Sequence, residues 1–341
     1  MKIRAAIVGA NGYTGFELIK LLCNHPHFML TAAASRSFAG TRLRDVYPAL
    51  SFVCGNDVFV PPDADEIAKK ADVVFTALPH AASAAIGGTF HDKGIKVIDL
   101  SADFRYTDIN LYETTYGVTH PRPELNRRAV YGLCEIFRAH IAKADIVGNP
   151  GCYTTCSILP LYPLLQAGLL SPHGIIVDAA SGITGAGRKE SVDYNFCETD
   201  ENYKAYGVTT HRHTTEIEEK LHATVTFTPH LLPVKRGILA TIYADLAPQA
   251  TAAAIDKAYG MYADEKFAVP LGEGVLPELK WVAGSNVCAF GYKIDHKSNR
   301  IIIVSAIDNL IKGASGQAVQ NANILFGLPE TEGLPAIGNH L

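Results

Sequence analysis

The N-terminal half of the chain is written in short apolar blocks, separated by turn residues and by longer amphipathic stretches. Arg4-Ala5-Ala6-Ile7-Val8 is a block of buried-strand type. It runs into Gly9-Ala10-Asn11-Gly12-Tyr13-Thr14-Gly15, and a helical stripe of Phe16, Leu18, Ile19, Leu21 and Leu22 then stops at Asn24-His25-Pro26. Strand-like blocks recur at Met29–Ala34, Asp72–Leu78, Ile95–Leu100 and Ala144–Val147, and a helical pattern over Ala81–Lys93 with Gly94 behind it separates two of them. Strands alternating with helices predict an α/β fold with a Rossmann-type, doubly wound parallel sheet. Ligands of such sheets bind at the carboxyl ends of the strands. Pro79, His80, Ser101, Arg105, Asn149 and Cys152 all follow predicted strands, so all are expected near that edge.

After Cys152 the pattern changes. A helix is expected over Tyr153–Ala167, disturbed at Pro160 and Pro163, where a ring replaces a donor N–H. Strands follow at Gly174–Ala180, Ala223–Thr228, Gly237–Asp245, Asn286–Tyr292 and Arg300–Ile307, with one helix near Thr251–Tyr262. Consecutive strands without intervening helices predict an α+β substrate domain with a mostly antiparallel sheet. The expected division is a nucleotide-binding domain over 1–151, a catalytic and oligomerisation domain over 152–311, and a C-terminal helical segment, 312–341, with its helix at about Ala314–Phe326, returning to the first domain.

Composition narrows the class. Thirty basic and 34 acidic residues leave a net charge of −4, so no basic surplus points to nucleic acid or an anionic membrane. Seven Cys without paired spacing suit reduced thiols in a cytoplasmic setting. No apolar run reaches the ~20 residues of a membrane span.

Five stretches carry chemistry. Glycines 9, 12 and 15 let a backbone turn approach a pyrophosphate at a helix N-terminus. The second strand ends at Ser35-Arg36-Ser37, with no Asp or Glu to hold a ribose 2′-hydroxyl, so the cofactor expected is NADP(H). In Asn149-Pro150-Gly151-Cys152 a strand stops at a sharp turn and a thiol stands where a helix begins. Unpaired N–H groups and the helix dipole there favour the thiolate. The loop Ser181–Lys189, rich in glycine and hydroxyls and ending at Arg188, suits a phosphate or carboxylate. His211-Arg212-His213 followed by Glu216 offers a proton carrier for the thiol chemistry. His-x-His without a second ligand pair does not make a zinc site, and no metal is expected.

Taken together, Gly9–Gly15, Leu78-Pro79-His80, Asp99–Arg105, Gly148–Tyr153, Ser181-Gly182 through Arg188, His211–His213 and Asp308–Gly313 through Gly316-Gln317-Ala318 resemble the N-acetyl-γ-glutamyl-phosphate reductase family of arginine biosynthesis. The likeness runs almost end to end and in order. That family is similar to aspartate-semialdehyde dehydrogenase. The resemblance implies NADPH-dependent reduction of an acyl phosphate to a semialdehyde through a Cys thioester. It implies Cys152 as nucleophile and His211 as acid–base, with His213, Glu216 and Asn149 supporting. It places Arg105, Ser181, Gly182 and Arg188 at the substrate. The cofactor would be held by Gly9, Asn11, Gly12, Tyr13, Thr14, Gly15, Ser35, Arg36, Pro79, His80, Ser101, Asn286 and Asn309. A homodimer or homotetramer is also implied. One departure stands out: the family often has Pro after Cys-Tyr, where this chain has Thr154. The nearest alternatives are aspartate-semialdehyde dehydrogenase and an aminoadipyl-phosphate reductase, which share the thiol chemistry. A non-catalytic NADP-binding sensor is the remote one, since Cys152 and His211 are both present.

Overall fold

A computed structural model describes residues 2–54, 57–188 and 190–339. The chain divides into two compact units. The first takes in Met1–Gly151 and Ala314–Leu334, the second Cys152–Gly313 and the residues from Pro335 onward.

The first unit is built on a six-stranded sheet of β1 (Ile3–Val8), β2 (Phe28–Ala34), β3 (Val73–Thr76), β4 (Lys96–Asp99), β5 (Val130–Tyr131) and β6 (Ile146–Gly148). The order is β2-β1-β3-β4-β6-β5 and every pairing is parallel. β3 is buried along its whole length and β1 over its last four residues, as expected of strands covered on both faces. Helices α1 (Tyr13–Asn24), α2 (Ser83–Asp92), α3 (Ile109–Tyr116) and α4 (Cys134–Ile141) belong to this unit. The last two and β5 were not in the sequence expectation. β5 is two residues long, too short to leave a periodic signature.

The second unit opens with α5 (Cys152–Gln166). Its sheet holds β7 (Ile175–Gly182), β8 (Lys204–Ala205), β9 (Val225–Leu232), β10 (Ile238–Asp245), β11 (Ala268–Glu273), β12 (Cys288–Asp295) and β13 (Arg300–Ile307). The order is β11-β12-β13-β10-β7-β9-β8. The β11–β12 and β7–β9 pairings are parallel and the other four antiparallel. β10 alternates strictly between buried and half-buried residues, so one face of the sheet is covered and the other is not. Helices α6 (His213–Leu221) and α7 (Ala252–Tyr259) belong here as well.

Two expectations need correction. α5 runs unbroken through Pro160 and Pro163. The carbonyl that Pro163 cannot bond, that of Leu159, accepts instead from the Tyr262 hydroxyl at 2.9 Å, and Tyr259 donates to the Pro160 carbonyl at 3.1 Å. The Tyr262 hydroxyl thus replaces the donor missing at Pro163. The C-terminal segment 312–341 is helical only near the expected Ala314–Phe326. A π-turn, Ile311–Ser315, leads into α8 (Gly316–Leu325), which ends where Gly327 turns left-handed at φ +65° ahead of Pro329. His340 and Leu341, and Lys189 of the expected phosphate loop, lie outside the described residues.

Candidate active site

In the first unit the glycine turn is held open. Gly9 lies at φ +90°, and a side chain there would run into the Ala77 carbonyl. A Cβ at Gly15 would meet the Ala10 backbone at 2.6 Å. At Gly12 the nearest atom is the Gly9 oxygen at 3.8 Å, so the turn faces open space that a side chain would fill. Helix α1 starts at Tyr13 with no side-chain cap and no acid in its first turn. An uncapped positive helix end behind a cradle of small residues fits a dinucleotide pyrophosphate.

Around this turn several expected cofactor residues do structural work. Ser35 is buried and its hydroxyl donates to Asn11 Oδ1 at 3.0 Å, while the Tyr47 hydroxyl donates to the Asn11 carbonyl at 2.6 Å. Arg36, next in the chain, is exposed, and among the described residues nothing binds it. Thus only Arg36 and Ser37 of that tripeptide face solvent. Pro79 is exposed. His80 Nδ1 accepts the Ala102 N–H at 3.1 Å. Ser101 is buried and donates to Asp99 Oδ2 at 2.6 Å. Asp99 is fully buried and also accepts from Thr76 at 2.8 Å and Ser83 at 2.5 Å. Burial, with Asp103 nearby, pushes its pKa up. Asp103 accepts the N–H groups of Ser83 and Ala84, both at 2.9 Å, and so caps α2.

Arg105 is almost fully buried. Its Nε donates to the Asn149 carbonyl at 2.7 Å and a terminal nitrogen to the Leu100 carbonyl at 2.9 Å. The guanidinium therefore shapes the turn that leads to Cys152. Asn149 is itself engaged: its side chain donates to the Ala314 carbonyl at 3.1 Å and accepts from Asn321 at 3.0 Å.

In the second unit Cys152 is the first residue of α5, half-buried, with no acid in the helix's first turn. Gly313 lies against it: an added Cβ would sit 2.7 Å from Cys152 Cβ and 3.2 Å from its Cα. Tyr153, next along the helix, is buried; its hydroxyl lies 3.0 Å from the Tyr206 hydroxyl and donates to the His230 carbonyl at 3.3 Å. Burial raises both tyrosines' pKa values, and a charge on Cys152 adds to this in each.

His211 stands among rings. Its centroid is 4.9 Å from His213, 5.2 Å from Phe227, and 5.6 Å from both Tyr153 and Tyr206. Its Nδ1 accepts the His213 backbone N–H at 3.1 Å, so the ring proton sits on Nε2. Burial, then the positive charge of Arg212, lowers the His211 pKa to about 4, and Glu216 opposes this only in part. Glu216 is fully buried and accepts from the Thr154 hydroxyl at 3.0 Å, which ties α6 to the first turn of α5.

Ser181, buried, donates to the Gly182 carbonyl at 3.0 Å, and Arg188 is exposed. Asn309 donates to Thr184 at 3.0 Å and accepts the Gly237 N–H at 2.7 Å, so both ends of its amide fix the base of this loop. Asn286 is fully buried, its N–H bonded to the Pro335 carbonyl at 2.7 Å. Within this unit the structure thus draws His211, His213 and Glu216 together against Tyr153 and Thr154 in the first turn of α5. Tyr206, Thr154 and Gly313 were missed by the sequence reading. Tyr206 belongs to no motif, whereas Gly313 closes the Asp308–Gly313 stretch already singled out.

Residues 4–144 match the family described as semialdehyde dehydrogenase, NAD binding domain, and residues 152–309 that described as semialdehyde dehydrogenase, dimerisation domain. A protein of Acetivibrio thermocellus named N-acetyl-gamma-glutamyl-phosphate reductase is 50% identical, over 98% of this chain and 99% of its own length. The chain belongs to the N-acetyl-gamma-glutamyl-phosphate reductase family. Members from Halothermothrix orenii and Caldicellulosiruptor saccharolyticus are 46% and 47% identical over 98% and 99% of the chain, each across 99% of its own length. Aspartate semialdehyde dehydrogenase II of Vibrio cholerae shares the fold, with TM-score 0.72 at 18% identity over 96% of this chain and 99% of that one. The Candida albicans aspartate semialdehyde dehydrogenase, solved with NADP, gives TM-score 0.69 at 17% identity, with 96% and 99% covered. Among the described residues no helix is long and apolar enough to cross a membrane.

Proposed function

We propose that this enzyme reduces N-acetyl-γ-glutamyl phosphate to N-acetylglutamate 5-semialdehyde and phosphate, with Cys152 as nucleophile and NADPH as reductant. The observation that carries the reading is the match to reductases of that name along essentially the whole chain, with Cys152 as the first residue of α5. The Cys152 thiolate attacks the acyl carbon, the carbon–oxygen bond to phosphate breaks, and a thioester remains. The Gly9–Gly15 turn, with Arg36 at the 2′-phosphate, would hold NADPH, which when bound would supply the hydride that reduces the thioester carbon. The resulting alkoxide re-forms its carbonyl and expels the Cys152 thiolate, which frees the aldehyde.

His211 is the donor to the oxygen that carries charge in these steps. Its Nδ1 is occupied by the His213 N–H, so only Nε2–H is offered. With its pKa lowered to about 4 and its Nδ1 already accepting a hydrogen bond, His211 is a poor acceptor for the thiol proton, so the helix end supplies the positive potential that favours the thiolate. Arg105 acts by fixing the Asn149 turn as well as by offering charge to a phosphate.

The assay runs in reverse, with semialdehyde, phosphate and NADP⁺ as substrates. N-acetylglutamate semialdehyde should be oxidised at least a hundredfold more efficiently than aspartate semialdehyde. Equal or reversed efficiencies would transfer the assignment to the aspartate enzyme.

The partner we propose is a second copy of this chain. The uncovered face of the mixed sheet carries Ile176, Thr241, Tyr243, Ile302 and Val304 as adjacent half-buried residues. A Tyr243→Lys, Val304→Glu double variant should run as a monomer in light scattering where the parent runs as a dimer or larger. A monomeric parent would refute the pairing.

A further inference from the structure

The short edge strand β8 and the turn behind it do more than end the sheet. Tyr206 follows β8, and its N–H is held by the Pro229 carbonyl of β9 at 3.0 Å. Gly207 turns left-handed at φ +57°, and a Cβ there would pack 3.4 Å from both the Cβ and Cδ2 of His211. The flanking residues Ala205 and Val208 to Thr210 are exposed, yet Tyr206 is half-buried with its ring edge-on to His211. The other three rings around His211 sit on elements with their own reasons to be there: Tyr153 on α5, His213 on α6 and Phe227 on β9. Tyr206 is the one contributed by the exposed edge, and its hydroxyl is tied to that of Tyr153.

We propose that Tyr206 is a positioning residue for His211: its ring closes the aromatic enclosure from the solvent side, keeping the imidazole dry and fixed with Nε2–H as its free donor. This rests on the role given to His211 above, but the ring's environment can be read without turnover. Among the described residues, the titratable and charged groups beside His211 are Tyr153 from α5, Arg212, His213 and Glu216 at the start of α6, and Tyr206 itself; β9 packs Phe227 against it. Of these, Arg212 disfavours and Glu216 favours a positive imidazole, so the two charges partly cancel. Exclusion of water is then the dominant influence, and Tyr206 is the removable part of it.

The test is histidine-ring NMR of the full-length protein between pH 4 and 8, with His211 assigned by its loss in His211→Gln. Tyr206→Ala and Tyr206→Gln should each raise the His211 midpoint by one unit or more, toward the ordinary value of about 6.5. Tyr206→Phe should leave it within a few tenths, because the ring stays. In parallel, the kcat/KM profile of the alanine variant should gain a fall on the acid side near that midpoint, which the phenylalanine variant lacks. Midpoints unchanged in both Ala and Gln variants, with circular dichroism unaltered, would overturn the proposal. So would a rise in the phenylalanine variant equal to that in alanine, since the hydroxyl rather than the ring would then be responsible. Absence of acyl-phosphate chemistry in the parent would refute the function and leave the NMR result standing.

Discussion

Gly313→Ala puts a single methyl group against the proposed nucleophile. The added Cβ would lie 2.7 Å from Cys152 Cβ, 3.2 Å from its Cα and 3.2 Å from the Asp308 carbonyl. Carbon pairs rest at about 3.5–4.0 Å, so the two atoms must separate by about 1 Å. None of the three obstacles is the swinging tip of a long side chain; relief requires moving the start of α5 or the π-turn Ile311–Ser315. Overpacking of this kind costs about 1–3 kcal/mol of stability. A 1 Å error at a reacting atom costs about a hundredfold in rate. We expect kcat to fall about a hundredfold, alkylation of Cys152 by iodoacetamide to change rate, and the melting temperature to drop by a few degrees. Gly260→Ala is the control: no atom lies within 4 Å of a Cβ there and the backbone is helical. Activity of Gly313→Ala within threefold of the parent, with unchanged alkylation, would refute the reasoning.

Other outcomes follow from the same contacts. Thr154→Val removes a hydroxyl donor to the buried Glu216 carboxylate and should cost about 1–3 kcal/mol in urea unfolding, with Thr154→Ser recovering most of it; a loss under 0.3 kcal/mol would contradict the tie. His211 has its pKa lowered to about 4, so the folded state binds fewer protons than the unfolded chain between that value and about 6.5. This contribution is full above about pH 6.5 and is lost as the pH falls through about 4, amounting to at most ~3 kcal/mol; His211→Gln should flatten that part of the stability profile measured by urea titration. Arg36→Ala should lower kcat/KM for NADPH at least tenfold and leave the value for NADH nearly unchanged; equal losses would remove Arg36 from the 2′-phosphate.

The architecture was legible where periodicity was long. β13 matches its expected bounds, and β1, β2, β4 and β10 fall within a residue or two of theirs, because each is an unbroken apolar or alternating run. β5 and β8, two residues each, exist only through their neighbours. Proline at 160 and 163 misled because helix propensity is local, whereas the Tyr262 hydroxyl that rescues the Leu159 carbonyl, and the Tyr259 hydroxyl on the next carbonyl, come from far along the chain. At the site, residue type pointed to Cys152, His211 and Glu216. What sequence could not supply was the environment: that Ser35, Ser101 and Asn309 bond to the protein itself, and that His211 sits half-buried among rings with Nδ1 already occupied. Those facts depend on residues distant in sequence and carry no spacing signal.

The central claim is that Cys152 forms the acyl-enzyme. The direct measurement is peptide mass spectrometry after mixing the enzyme with N-acetylglutamate semialdehyde and NADP⁺ without phosphate, so that hydride leaves but the thioester has no acceptor. One equivalent of NADPH and an N-acetylglutamyl group on Cys152 are expected, the acyl group released by hydroxylamine or phosphate and absent in Cys152→Ser. An acyl group on Cys156 or any other residue, or full NADPH formation by Cys152→Ser, would contradict it.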